Sequence, residues 1–463
     1  MSSGRSESGN PRTIIEHAGI ACVDAAGTEH AEGHVVIEQG RIVEIGPDPA
    51  PRHRHDEGAQ RIDGRGCLLT PGLVNTHHHL YQWATRGYAQ QQPLFGWLSE
   101  LYPVWAGLDA EITHAAASAG LAHLALSGAS TVADHHYVYP RGGGDVLAGL
   151  VAAGERIGVR LHAVRGSMDR GRSQGGLPPD SLVEDRTAAL EGTSEAIARY
   201  HDPAPDALLR IAVGPCSPFS VSPELMRGAA ELARAQGVRL HTHLAETVEE
   251  DQQCRAEFGR TPVEYAEELG WLGVDVWLAH AVHLDTAAVR RIGASGTAVA
   301  HCPSSNGRLG TGIARVRDLL DAGVTVGLGV DGSASNESAG MVEELHQALL
   351  SARLRDGAAA LTARDSLTLA TVGGARCLGR EQEIGSIEVG KLADLALWRM
   401  DGLGWAGMTD LVAGLVFGPR PPLERLLVGG RTVVSGGALC TAEESELAAA
   451  LRVASRGLER ANG

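Results

Sequence analysis

Apolar and polar positions change rhythm twice along the chain. From Arg12 to about Leu69, short alternating bursts (HAGIACVD, GHVVIEQ, RIVEIGP, QRIDGRGCLL) are broken by glycine and aspartate. Period-two alternation between turn residues predicts the strands of a small antiparallel sheet. Residues 385–440 resume that style in IGSIEVG, DLALWRM, LERLLVGG and RTVVSGG. Chain termini commonly lie close together, so 12–68 and 385–440 are expected to form one composite β domain, a small sandwich.

Between these segments, over 69–384, apolar strand-like runs alternate with helical stretches. The strand candidates are LLTPGLVNTH, STVADHH, RLHAVRG, LLRIAVGP, GVRLHTHL, DVWLAHA, TAVAHCP and VTVGLGVD. Stretches such as EITHAAASAGLAHLALSG and SPELMRGAAELARAQG separate them. Eight β/α repeats predict an α/β fold, a closed (β/α)8 TIM barrel. A doubly wound open sheet is the alternative, but the glycine-rich phosphate loop of its dinucleotide-binding form is missing. Residues 1–11 read as a disordered tail and 441–463 as a C-terminal helical segment.

Composition narrows the function. The chain has 463 residues, 43% of them apolar, with 40 basic against 56 acidic side chains and a formal charge of −16. That balance argues against nucleic-acid binding, which needs a basic surface. No run approaches the roughly 18 apolar residues of a membrane span, and the polar start lacks a secretory h-region. Seven scattered cysteines, none in a C-x-x-C pair, fit a reducing cytoplasm. A homo-oligomer is compatible with the sequence, but no interface can be read from it.

Chemistry gathers where the strand candidates end. His77 and His79 close the first barrel strand in NTHHHL, and residues two apart on a strand face the same side. Strand five ends with His241, His243 and Glu246 in HTHLAET, strand six with His280, strand seven with His301 and strand eight with Asp331. In a barrel all these ends share one face, where catalytic groups gather. Single histidines elsewhere (His17, His30, His34, His53, His55, His114, His123, His346) are read as ordinary core or surface residues. The joint pattern predicts a metal site, and zinc suits imidazole and carboxylate ligands at an open position; Fe2+ or manganese also suits that set. One ion is expected. Strand four ends in IAVGPCSPFS without a bridging acid or lysine, and the only lysine, Lys391, lies beyond the barrel.

The runs PGLVNTHHHL, HTHLAET, LAHAVHL, HCPSSN and VDGSASN, with the closing GSIEVGKLADLAL, resemble the amidohydrolase superfamily in its mononuclear aminohydrolase branch, over residues 13–440. Within that branch NTHHHLYQ, LFGWL, GGLPPDSLVED, PCSPFSVSPELM and GVDGSASNES are most similar to the 8-oxoguanine deaminase family. The resemblance implies metal ligands His77, His79, His243 and Asp331, with His280 beside the ion and Glu246 as proton shuttle; Asp331 also acts on the attacking water. The roles of His241 and His301 stay open. It implies zinc-dependent hydrolytic deamination of a small amino-substituted heterocycle, 8-oxoguanine first, with isoxanthopterin, guanine or a hydroxytriazine as alternatives. An inactive barrel serving as a binding protein is the reading from another class. Cytidine-deaminase chemistry is excluded because its H-x-E and P-C-x-x-C pair is absent.

Substrate contacts are expected from Gln82, which can read an amide edge, and Trp97, which can stack on a ring. Cys216 stands where related deaminases carry a substrate-binding residue. Arg165 and the loop around Gly175 and Gly176 are expected to cover the pocket.

Overall fold

The computed structural model describes residues 12–47, 50 and 58–461; the expected N-terminal tail, His53 and His55 lie outside them. Eight parallel strands form the barrel: Leu73–Asn75, Ala129–His136, Arg160–Ser167, Leu209–Pro215, Leu240–Leu244, Val276–His280, Ala298–His301 and Val326–Leu328, each pairing with the next. The seam between the eighth and the first is drawn together by two bonds, Thr76 N to Leu328 O (2.8 Å) and Asp331 N to His77 O (3.0 Å). Each of the eight strand candidates of the sequence contributes one strand to this barrel, and helices pack outside it. The floor of the barrel is plugged by Trp277, in one apolar cluster with the small side chains Ala133, Ala212, Ala298 and Ala300. Such side-chain layers make the interior a packed core, leaving chemistry to the mouth.

The terminal segments meet in a nine-stranded sheet. Its order runs Ala438–Leu439, Arg431–Ser435, Leu423–Val428, Leu395–Arg399, Cys67–Pro71, Thr13–Ala21, Glu29–Glu38, Arg41–Pro47, with Gln60–Asp63 added beside Thr13–Ala21. The sheet is mixed where a wholly antiparallel one was expected, because Thr13–Ala21 pairs in parallel with Gln60–Asp63 and Cys67–Pro71. Two readings at its edges change. QRIDGRGCLL is two strands joined by a turn, with Gly66 at φ +73°. IGSIEVG forms no strand; Ile387 is buried and its amide donates to Cys22 O (2.8 Å), which holds the segment as a strap.

The run LLTPGLVNTH is shared between the two parts. Cys67–Pro71 pairs with Leu395–Arg399 in the outer sheet, and Leu73–Asn75 enters the barrel. Gly72 makes the switch: a Cβ there would sit 2.4 Å from Ser130 Oγ. A second tie is electrostatic. Arg160, at the start of the third barrel strand, forks onto Asp394 (2.7 and 3.0 Å), both side chains 1% exposed. Residues 441–463 carry the helix Glu444–Ala461, which packs on the helix Ala110–Leu126.

Candidate active site

Histidines 77 and 79 lie just past the end of their short strand, in an irregular turn leading into the 3-10 helix Leu80–Thr85. Asn75 anchors that turn; its Oδ1 accepts from Val330 N (3.0 Å), joining the exits of the first and eighth strands. His243 is on the fifth strand, His280 ends the sixth, and Asp331 follows the eighth by three residues. Backbone strain concentrates here. Ala245, His280, Ala281 and Asp331 all have positive φ, from 49° to 69°, a costly region for side chains that persists where surrounding contacts enforce it.

Nitrogen lone pairs face one another across the mouth. His79 Nδ1 lies 2.7 Å from His135 O and His243 Nδ1 lies 2.6 Å from Cys216 O. A carbonyl only accepts, so both Nδ1 atoms carry the hydrogen and both Nε2 atoms are bare. Those Nε2 atoms stand 3.1 Å apart. His77 Nε2 is buried with no hydrogen-bond partner, and it and His79 Nε2 each lie 3.3 Å from Asp331 Oδ1. Ligand atoms about 2.0–2.1 Å from a tetrahedral zinc stand about 3.3–3.4 Å apart, close to the observed spacings. Bare nitrogens at such contact repel unless a cation lies between them. The donor set therefore fits a divalent ion. Burial, followed by the charges of neighbouring imidazoles, pushes His243 well below the ordinary histidine range; the neutral form is the one that ligates.

Asp331 is held by its own neighbourhood. Ser305 Oγ donates to Oδ2 (2.6 Å), Ser335 Oγ does so at 3.3 Å, and Gly332 N donates to Oδ1 (2.6 Å). His280 Nδ1 pairs with Asn306 Oδ1 (3.0 Å), which turns Nε2 toward Glu246 Oε2 (3.5 Å) and Asp331 Oδ2 (3.8 Å). Glu246 is 4% exposed. Burial and then the charge of Asp331 raise its carboxyl well above the usual range, which favours the protonated form. Glu250 steadies it from behind by accepting from Ala245 N (2.8 Å) and Glu246 N (2.9 Å).

These groups open into a cavity walled by Leu94, Trp97, Leu98, Tyr102, Tyr137, Phe219 and Leu309. Gln82, Trp97 and Cys216 all line it. Gln82 Oε1 accepts from Ala334 N (3.3 Å), while its Nε2 is buried without a partner. Trp97 Nε1 donates to Ala334 O (3.1 Å), leaving the ring as its contribution. Burial pushes the Cys216 thiol up to about 12, so it stays protonated.

Arg165 is a correction: the structure does not bring it to this cavity. Val164 faces the barrel interior, so Arg165, the next residue on the strand, points outward. There it forks onto Glu184 (2.6 and 2.8 Å) and lies 4.0 Å over the Tyr139 ring. The Gly175–Gly176 turn closes on Arg170 instead; a Cβ on Gly176 would fall 2.0 Å from Arg170 O.

His241 sits against His77, its Nε2 2.8 Å from His77 Nδ1. His301 is buried with neither ring nitrogen bonded. Sequence reasoning missed His135, whose ring stacks on His243 (4.9 Å) with Nε2 bonded to Gly214 O (2.7 Å). It also missed Ser305, Asn306, Ser335 and Glu250. The first three lie in motifs already singled out, HCPSSN and VDGSASN; Glu250 had no signal beyond an acidic helix start.

A family model described as the amidohydrolase family matches residues 68–433. The chain is 45% identical to an 8-oxoguanine deaminase of Pseudomonas aeruginosa, over 96% of this chain and 99% of that one. It is 37% identical to an isoxanthopterin deaminase of an unknown prokaryote, over 92% of each. Among solved structures, the atrazine chlorohydrolase of Arthrobacter aurescens complexed with zinc superposes with a TM-score of 0.90 at 33% identity, covering 96% of this chain and 100% of that one. Among the described residues, no helix is long and apolar enough to cross a membrane.

Proposed function

The chain belongs to the amidohydrolase family and is a hydrolase acting on C–N bonds, and from that premise we propose that it deaminates 8-oxoguanine to urate and ammonia with one zinc ion. The observation that carries the reading is a buried Glu246 set beside His280 (3.5 Å), which in turn lies 3.8 Å from Asp331, the three opening into a cavity walled by aromatic and aliphatic side chains. His77, His79, His243 and Asp331 would hold the metal. A divalent ion held there supplies the acidity that brings water within reach of ionisation near neutral pH.

The side chains divide the remaining work. Asp331 takes the proton that water gives up as it adds to the amino-bearing carbon. Glu246 donates to the adjacent ring nitrogen, which ends the ring's conjugation at that carbon. His280, fixed by Asn306, hydrogen-bonds the new hydroxyl and steadies the tetrahedral adduct. The proton held by Asp331 then passes to the amino group, ammonia departs, and the hydroxyl gives its proton by way of His280 back to the Glu246 carboxylate, leaving a carbonyl at that carbon and the acid restored.

Recognition follows from the wall. Trp97 offers a stacking face, and the unpartnered Nε2 of Gln82 is a buried donor suited to a ring carbonyl. Among the described residues, no arginine or lysine lines the cavity, which suits a neutral base over a phosphorylated nucleotide. The likeness to the Pseudomonas deaminase supports the oxidised purine specifically. The test is ammonia release by zinc-quantified protein from 8-oxoguanine, guanine, isoxanthopterin and hydroxytriazines. Highest kcat/KM on 8-oxoguanine is expected; preference for another member replaces the substrate, and no release from any of them removes the reading.

A further inference from the structure

We infer that His241 is a positioning residue for the metal centre: through its hydrogen bond it holds His77 in the one tautomer that can ligate. The inference rests on the reading of His77 as a ligand.

The argument is a chain of donors and acceptors that ends on the backbone. His241 is fully buried, and its Nδ1 lies 2.8 Å from Trp277 O. That carbonyl has no hydrogen to give, so His241 Nδ1 carries one. In the neutral ring Nε2 is then bare, and it faces His77 Nδ1 at 2.8 Å. His77 must donate across that contact, so its hydrogen is on Nδ1 and its Nε2 offers a lone pair to the site. Without His241, nothing in this arrangement prevents His77 from carrying its hydrogen on Nε2. That tautomer would present an N–H where a ligand atom is needed.

His77 is unlike its neighbours in this respect. His79 and His243 donate straight to backbone carbonyls of His135 and Cys216, which no substitution removes. For His77 the acceptor is a side chain, itself set by Trp277. That indole stacks on the His241 ring (4.4 Å between centroids, 21° between planes) and donates from Nε1 to Thr76 O (3.0 Å). Trp277 thereby fixes both the acceptor ring and the backbone immediately before His77. The parallel register sets His241 directly opposite Trp277.

Two amides separate this role from mere packing. In His241→Gln the amide oxygen can reach the place of the ring Nε2 and accept from His77. In His241→Asn the shorter side chain reaches only the place of Nδ1. Zinc affinity is measured by chelator competition on metal-stripped protein, with circular dichroism and melting of the stripped form as the folding control. Loss of a partner to a ligating histidine typically costs about 10–100-fold in metal affinity. We expect that loss in H241N and a loss of no more than about threefold in H241Q, the conservative rescue. Wild-type affinity in H241N, or equal losses in both variants, overturns the inference. Wild-type protein that takes up no zinc removes the ligand reading and this inference together. A readout on the unaltered chain covers variants that fail to fold. In 15N-histidine-labelled, metal-stripped protein, long-range 15N–1H correlation is expected to show the His77 hydrogen on Nδ1, and finding it on Nε2 overturns the inference.

Discussion

Replacing Glu246 with Gln keeps shape and volume and removes one transferable proton. The carboxyl is buried, and burial together with the charge of Asp331 favours its protonated form. The amide occupies the same space without becoming a charge, so packing changes little. Its backbone is pinned separately by Glu250, which accepts from both Ala245 N and Glu246 N. Positioned general acids contribute about 10²–10⁴ in rate, or about 2.7–5.5 kcal/mol of barrier. We expect kcat to fall by that factor with KM within a few-fold of wild type. Glu246 belongs to none of the clusters of close-set donor atoms around the three imidazoles proposed as ligands, so metal content per chain should be unchanged. The assay is ammonia release on variant protein whose zinc has been quantified. Activity within tenfold of wild type would refute the assignment, and loss of metal would recast Glu246 as a ligand.

Other substitutions test other links. Asp394→Ala leaves the buried Arg160 guanidinium without its carboxylate, and breaking such a pair costs about 3–5 kcal/mol; denaturant unfolding should show it, with little change in kcat for the folded fraction. Gln82→Leu removes the buried amide donor of the slot; if it binds a ring carbonyl, kcat/KM should drop by about 1–3 kcal/mol, read in steady-state kinetics. Glu344 is a buried acid raised to about 8, first by burial. The folded protein binds its proton more tightly than the unfolded chain does. Stability therefore falls as pH rises from the ordinary glutamate range toward 8, by at most about 1.4 kcal/mol per pH unit. Glu344→Gln should flatten that fall in urea melts at pH 5–8, and an unchanged slope would contradict it.

What could be read from the chain differs between barrel and site. The eight strands were legible because each is a short apolar run bounded by glycine, proline or charge and followed by helical sequence. The Gly72 switch was not, since the Pro71–Gly72 pair in LLTPGLVNTH marks a break without saying that its two halves enter different sheets, and only packing against Ser130 shows where one sheet ends. IGSIEVG alternates like a strand, yet its backbone finds Cys22 O and no full ladder. At the site, His77, His79, His243, His280, Glu246 and Asp331 were singled out from strand ends, and the fold brings them together. Arg165 was misplaced because face depends on register: one residue's shift sends a side chain out of the barrel. His135 was passed over because its partners Gly214 and His243 lie far along the chain, the nearer of them 79 residues away, and no local spacing announces contacts that only barrel closure creates.

The proposed ligands also set an order of events during synthesis. His77 and His79 leave the ribosome early, His243 well after them, and Asp331 only when some seven-tenths of the chain has been made. No nascent fragment short of that length can gather the four donors, so metal capture by them would wait for the last strand and would then lock the first to it. The ion would act as a late clasp, and cells short of it would be expected to accumulate chains that close their barrel loosely and open it readily to proteases.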